Sequence, residues 1–197
     1  MSVDPRFAAA LLDEEALVGS RSLTELTGHP DALVVLGSGL ADALDEAWGT
    51  PVATASLDEI PGVLPPVADG HGGQLRAYER EEGAVLVATG RTHLYEGVGA
   101  RAVTALARAA ASAGISRAVL TNANGCLRQW RLGDVMAITD HVNFSGTSPF
   151  DGPLFLDVSA VWDDQMTQAL RGVCQREGTY AILRGPEYQT MAETRIL

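Results

Sequence analysis

The densest set of reactive side chains in the chain is Gly90-Arg91-Thr92-His93-Leu94-Tyr95-Glu96-Gly97. Arg91 offers a planar fork of N–H donors suited to a phosphate group. His93 adds a donor two residues on. Tyr95 and Glu96 suit sugar hydroxyls, and Glu96 could instead orient its neighbours. The competing reading is a solvated loop with incidental charges. Three further segments have the same character. Gly37-Ser38-Gly39-Leu40 is a glycine turn without the third glycine of a dinucleotide site, since Asp42 stands there, and without the lysine of a P-loop. Its backbone N–H groups and the Ser38 hydroxyl could hold an oxyanion at a helix start, or it is a plain turn. Asp69-Gly70-His71-Gly72-Gly73 sets a histidine among glycines, either as a lid over an anion or as a surface turn. Gly185-Pro186-Glu187-Tyr188-Gln189 places an aromatic face beside an amide, which suits a heterocyclic base: Tyr188 stacks and Gln189 reads an edge. His141 follows a strand end and reads as structural, and His29 beside Pro30 as inert.

These segments need elements to hold them. Residues 6–18 alternate apolar and acidic positions as a helix does, with a break at Gly28, His29 and Pro30. Leu33–Leu36 is a short apolar run typical of a buried strand. Gln74–Tyr78 and Ala84–Thr89 flank a charged segment and predict a hairpin. Ala100–Ala113 is rich in strong helix formers, and Gly114 supplies a stop. Ala118–Thr121, Val135–Thr139 and Thr179–Leu183 read as strands and Asp163–Val173 as a helix. Alternating strands and helices predict an α/β fold with at least part of its sheet parallel. Thr121-Asn122-Ala123-Asn124-Gly125 joins the other polar loops in following a strand. Ligands of open α/β sheets sit outside the carboxyl ends of the strands, so the loops predict one composite site.

A formal net charge of −11 on 197 residues argues against a nucleic-acid partner, which needs clustered lysine and arginine. It leaves room for a small anion in a locally positive pocket. Cys126 and Cys174 lack metal or redox spacing, so a reducing cytoplasm is the expected compartment. No basic leader or membrane-length apolar run is present, and no cluster of metal ligands.

In these residues the chain resembles the trimeric purine nucleoside phosphorylases. The resemblance runs from about Val34 to Leu197 and rests on the order of its motifs. These are the turn at 37–39, the Gly-His-Gly segment around His71, the Gly-Arg-x-His-x-Tyr-Glu-Gly stretch at 90–97, and Thr121-Asn122-Ala123. Asp140-His141-Val142-Asn143 and Gly185-Pro186-x-Tyr188 extend it. It implies a single α/β domain over residues 31–197 behind an N-terminal helical segment, 1–30, with a twisted mixed sheet flanked by helices. It implies phosphorolysis of purine nucleosides of the inosine and guanosine type to free base and ribose 1-phosphate. Inorganic phosphate is then the co-substrate, with no organic cofactor or metal, and the assembly is a homotrimer. By the same resemblance Ser38, Arg91, His93 and the Ala123 backbone N–H hold phosphate, Tyr95 meets ribose, and Tyr188 and Gln189 meet the base. His71, His93 and Tyr95 are the implied catalytic side chains. Phe155 loosely matches an aromatic residue that similar enzymes lend to a neighbouring subunit.

The chain departs from the family pattern in three places. Gln189 replaces a base-reading glutamate, and Asn124 and Cys126 replace small residues after Thr-Asn-Ala. Thr190 and Glu193 form a helix capping box only four residues before the last residue, and nothing corresponds to the family's later segment. The sequence therefore predicts that the C-terminal part is missing. The alternatives are a phosphorylase of 5′-methylthioadenosine or other 6-aminopurine nucleosides, and an inactive truncated relative.

Overall fold

The computed structural model describes residues 13–41, 44–67, 72–150 and 153–197. Helix α1 spans Glu14–Thr27. Asp13 caps it, its carboxylate accepting the Ala16 N–H at 2.8 Å. Glu14 and Glu15 lie in the first turn, where negative charge meets the positive end of the helix dipole. Of the helix expected over 6–18, residues 14–18 are helical and Asp13 is the cap. The acidic residues that read as its body are its cap and first turn, and residues 6–12 lie outside the described residues. Gly28, with φ 77°, ends α1.

The chain then forms β1 (Ala32–Val35), a four-residue helix α2 (Asp45–Trp48) and β2 (Ala53–Ser56). After them come β3 (Gln74–Arg80), β4 (Gly83–Ala88), α3 (Gly99–Ser112) and β5 (Arg117–Leu120). The five strands make one sheet in the order β2-β3-β4-β1-β5. β3 and β4 are the expected antiparallel hairpin, and β1 lies parallel to both β4 and β5. The mixed α/β sheet read from the sequence is therefore present. β2 was not anticipated: Ala-Thr-Ala-Ser is weakly hydrophobic, and only Ala55 is buried. Gly114, with φ 88°, turns the chain after α3 as expected.

Side chains alternate across a strand, so each face of the sheet has its own core. One face brings Leu33, Val35, Leu75, Leu86 and Ala88 against Leu23 of α1 and Ala105, Leu106 and Ala109 of α3. A Cβ on Gly19 would lie 3.1 Å from Ala109 Cβ and 3.2 Å from Pro61 O, so a residue without a side chain lets α1 and α3 close. The other face buries Leu36, Tyr78 and Val87, with Trp48 edge-on to Tyr78 at 5.5 Å. Arg108 on α3 is 7% exposed, and its charge is matched. It pairs with Asp13 at 3.5 Å, donates to Thr104 Oγ1 and to the Pro149 carbonyl, and lies over the Phe150 ring.

By packing, the chain forms two compact units. The first is the sheet just described, running to Ala123 and joined by Pro149–Leu154; the second comprises Asn124–Ser148 and Phe155–Leu197. The second holds β6 (Met136–Asn143) parallel to β7 (Arg176–Ile182), with α4 (Asp164–Arg171) and α5 (Met191–Ile196). β6 outruns its expected end at Thr139 because the pairing shifts register between Ile138 and Asp140. That irregularity lets the polar stretch Asp140–Asn143 stay in the ladder. No helix among the described residues is long and apolar enough to cross a membrane.

Candidate active site

Three polar loops leave the carboxyl ends of three adjacent parallel strands, β1, β4 and β5. The first begins at Gly37. A Cβ there would lie 2.9 Å from both Asn122 Cα and the Thr121 carbonyl oxygen. The exit loops of β1 and β5 touch at this point, and only glycine fits between them. Gly39 takes a left-handed φ of 77°, which turns the chain beyond the exposed Ser38. Arg76 on β3 supports the far end of this loop by donating to the Ala41 carbonyl at 3.4 Å and, through Nη2, to Gln74 Oε1 at 3.1 Å.

The loop after β4 carries Arg91, His93, Tyr95 and Glu96. Arg91 is half-buried, and its Nη1 donates to the Thr121 carbonyl at 2.8 Å. Thr92 is buried and ties the loop down by donating to the Leu64 carbonyl at 2.8 Å. Leu94–Glu96 form one 3-10 turn, ended by Gly97 at φ 82°. The turn folds Glu96 back onto His93. One carboxylate oxygen accepts the His93 backbone N–H at 2.8 Å and lies 2.8 Å from its Nδ1. The Tyr95 ring stacks on the His93 ring, with centroids 4.8 Å apart.

The Glu96 side chain is 4% exposed. Burial works to raise its carboxyl, but hydrogen bonds from the His93 ring, the His93 N–H and the Val67 N–H outweigh it and hold the group below its ordinary range. An ionised Glu96 places the shared proton on His93 Nδ1. Nε2 then presents a lone pair when the ring is neutral and an N–H when it is charged. Of the two readings of Glu96, sugar ligand or orienting group, this geometry is that of the second.

The third loop is Thr121–Ala123, in which Ala123 is exposed. Beyond it, in the second unit, the Cys126 thiol closes a local turn by accepting the Arg128 N–H at 3.3 Å. His71 lies outside the described residues. The segment that follows it is anchored: Gly72 N–H donates to the Thr89 carbonyl at 3.0 Å, directly before the Arg91 loop. A Cβ on Gly72 would meet Thr89 Oγ1 at 2.6 Å.

In the second unit Tyr188 and Gln189 are exposed between β7 and α5, Tyr188 at 94%. The capping box is formed as expected, Glu193 N–H donating to Thr190 Oγ1 at 3.2 Å and Thr190 N–H to Glu193 Oε2 at 2.7 Å. His141 is structural as expected. The Trp162 Nε1–H donates to its Nδ1 at 3.1 Å. His29 is exposed. Among the described residues no three His, Cys, Asp or Glu side chains group as metal ligands would. Arg76 was not anticipated as part of the site, and Thr121 only as a member of its loop. Each acts through a bond to a loop distant in sequence, which local spacing does not reveal.

The model of the phosphorylase superfamily matches residues 32–197. The purine nucleoside phosphorylase of Cellulomonas sp is 38% identical over 201 residues, an alignment covering 98% of this chain and 71% of that protein. The chain belongs to the purine nucleoside phosphorylase family. A second member of the family, the purine nucleoside phosphorylase of Mycobacterium tuberculosis, is 39% identical over 190 residues, covering 94% of this chain and 70% of that one. The family fold is matched as well. The crystal structure of the purine nucleoside phosphorylase from Schistosoma mansoni in complex with acetate aligns with a TM-score of 0.80 at 24% identity, covering 96% of this chain and 76% of that chain.

Proposed function

We propose that this chain catalyses the phosphorolysis of purine nucleosides of the inosine and guanosine type, releasing the free base and ribose 1-phosphate. The reading rests on one observation above all. The loops of Ser38, Arg91 with His93, and Ala123 leave neighbouring parallel strands and are bonded to one another through Thr121. That is a cradle for an oxyanion. Arg91 supplies charge-assisted donors, Ser38 a hydroxyl, Ala123 its backbone N–H, and His93 a ring nitrogen whose partner Glu96 fixes its tautomer.

In this reaction a phosphate oxygen forms a bond to the anomeric carbon as the glycosidic C–N bond breaks, and the base leaves with the electron pair and takes up a proton. The transition state has ribosyl cation character, so an anion held beneath the sugar stabilises it. Tyr95 meets the ribose, Tyr188 and Gln189 meet the base, and His71 assists at the phosphate. Phosphate is a co-substrate, and the reaction calls for no organic cofactor or metal. The domain is residues 31–197, the assembly a homotrimer in which Phe155 faces a neighbouring subunit's site, and the compartment the cytoplasm.

The test is the release of hypoxanthine from inosine, followed with and without inorganic phosphate, and a panel of guanosine, adenosine and 5′-methylthioadenosine. Phosphate-dependent release from inosine and guanosine is expected. Turnover of the 6-aminopurine nucleosides alone would assign the site to that class instead. No release from any of them would overturn the reading.

A further inference from the structure

Thr121 is the first residue after β5, and its hydroxyl stands where the β1–β5 ladder stops. Val35 pairs with Leu120 in parallel register, and the Thr121 N–H donates to the Val35 carbonyl at 2.9 Å. The next bond of a parallel ladder in that register would run from the Gly37 N–H to the Thr121 carbonyl. Here the Gly37 N–H goes to Thr121 Oγ1 at 2.8 Å. The hydroxyl in turn donates its proton to the Val35 carbonyl at 3.2 Å. The Thr121 carbonyl, relieved of that second donor, accepts from Arg91 Nη1 at 2.8 Å.

We propose that the Thr121 hydroxyl is a positioning group of the phosphate site. By intercepting the Gly37 N–H it hands the Thr121 carbonyl to Arg91, and it fixes the start of the turn that carries Ser38. This rests on the assignment of Arg91 and Ser38 to phosphate made above. A hydroxyl is suited to the task because it accepts and donates at once. The β-branched side chain restricts χ1 and so holds the oxygen in place. Valine has the same shape and neither function. With valine at 121 the Gly37 N–H turns back to the carbonyl of that residue. Two donors then share one oxygen, and both the Arg91 fork and the Ser38 turn move.

The experiment compares the full chain with Thr121→Val and Thr121→Ser. Affinity for inorganic phosphate is measured by calorimetric titration, KM for phosphate and for inosine by turnover, and folding by circular dichroism and Tm. Thr121→Val is expected to bind phosphate about tenfold more weakly, the size of one lost hydrogen bond to a charged group. KM for phosphate rises with it while KM for inosine does not, and Thr121→Ser restores the affinity. A folded Thr121→Val with unchanged phosphate affinity overturns the inference, as does a Thr121→Ser as weak as Thr121→Val. If Thr121→Val does not fold, Thr121→Ala against Thr121→Ser carries the same comparison. A native chain that binds no phosphate overturns the assignment of Arg91 and Ser38 and this inference with it. A native chain that binds phosphate but releases no base overturns the proposed reaction alone, and the affinities still decide the role of Thr121.

Discussion

A single carboxylate oxygen of Glu96 lies 2.8 Å from His93 Nδ1 and accepts the His93 backbone N–H at 2.8 Å, so one group sets both the backbone entry into the turn and the tautomer of the ring. On the proposed phosphate assignment, His93 Nε2 accepts from a protonated phosphate oxygen when the ring is neutral and donates to a bare one when it is charged.

Replacing that carboxylate tests this. Glu96→Gln exchanges a charged hydrogen bond for a neutral one, a difference of about 1 kcal/mol, and kcat/KM for phosphate is expected to fall about fivefold. Stability adds a second readout. The Glu96 carboxyl sits below its ordinary value of 4.5 when folded, so its stabilisation is present above 4.5 and is lost as pH falls through the lowered folded value. The native chain is therefore expected to exceed Glu96→Gln in Tm at pH 7, with the gap closing as pH drops below 4.5. A gap independent of pH would contradict the coupling.

Arg91 is the proposed charged donor to phosphate, and Arg91→Ala is expected to raise KM for phosphate by about 10–150-fold, from the loss of a charge-assisted bond of roughly 1.5–3 kcal/mol. Arg91→Lys should recover only part of it. A point charge on a flexible stem does not reproduce the planar contact with the Thr121 carbonyl. Phosphate dependence unchanged in Arg91→Ala would remove Arg91 from the site.

Gly37→Ala pushes a methyl group to 2.9 Å from two backbone atoms, Asn122 Cα and Thr121 O, neither of which can swing aside. Overpacking of this kind costs about 1–3 kcal/mol. A clear drop in Tm and weaker phosphate binding are expected. Gly125→Ala is the control, since nothing lies within 4 Å of a Cβ there. Equal effects of the two substitutions would show that the β1–β5 contact is not tight.

Gln189 can accept the N1–H of a 6-oxopurine with its amide oxygen or, flipped, donate to N1 of an adenine-type base. Gln189→Glu restores a charged acceptor and penalises the adenine arrangement. Selectivity for inosine over adenosine, as the ratio of kcat/KM values, is expected to sharpen about fivefold, equivalent to about 1 kcal/mol. An unchanged ratio would mean that residue 189 does not read the base.

Much of this was legible in the residues. Apolar runs with glycine stops gave β1, the β3–β4 hairpin and α3, because period and punctuation are local signals. The Arg91 loop was legible because a guanidinium, an imidazole, a phenol and a carboxylate crowd one turn. β2 escaped notice, since alanine, threonine and serine carry little hydrophobic signal and the strand is held by pairing with β3. Asp13 was read as part of a helix face and is a helix cap, because an acidic cap and an acidic face look alike in sequence. Thr121 read as a neutral member of Thr-Asn-Ala. Its role depends on the register of β1 against β5, which no local pattern encodes.

The bonds that tie the site together reach far along the chain. Gly37 to Thr121 spans 84 residues, and Arg91 to Thr121 spans 30. Such contacts carry a loop-closure cost that is recovered only at the end of assembly. Ser38 and Arg91 therefore leave the ribosome before β5, a strand of only four residues, whose exit loop holds their loops together through Thr121. An anion bound across the three loops stabilises only the chain in which β5 has docked. On the proposed assignment, phosphate is thus a clasp on the β1–β5 contact and is expected to raise the Tm of the chain.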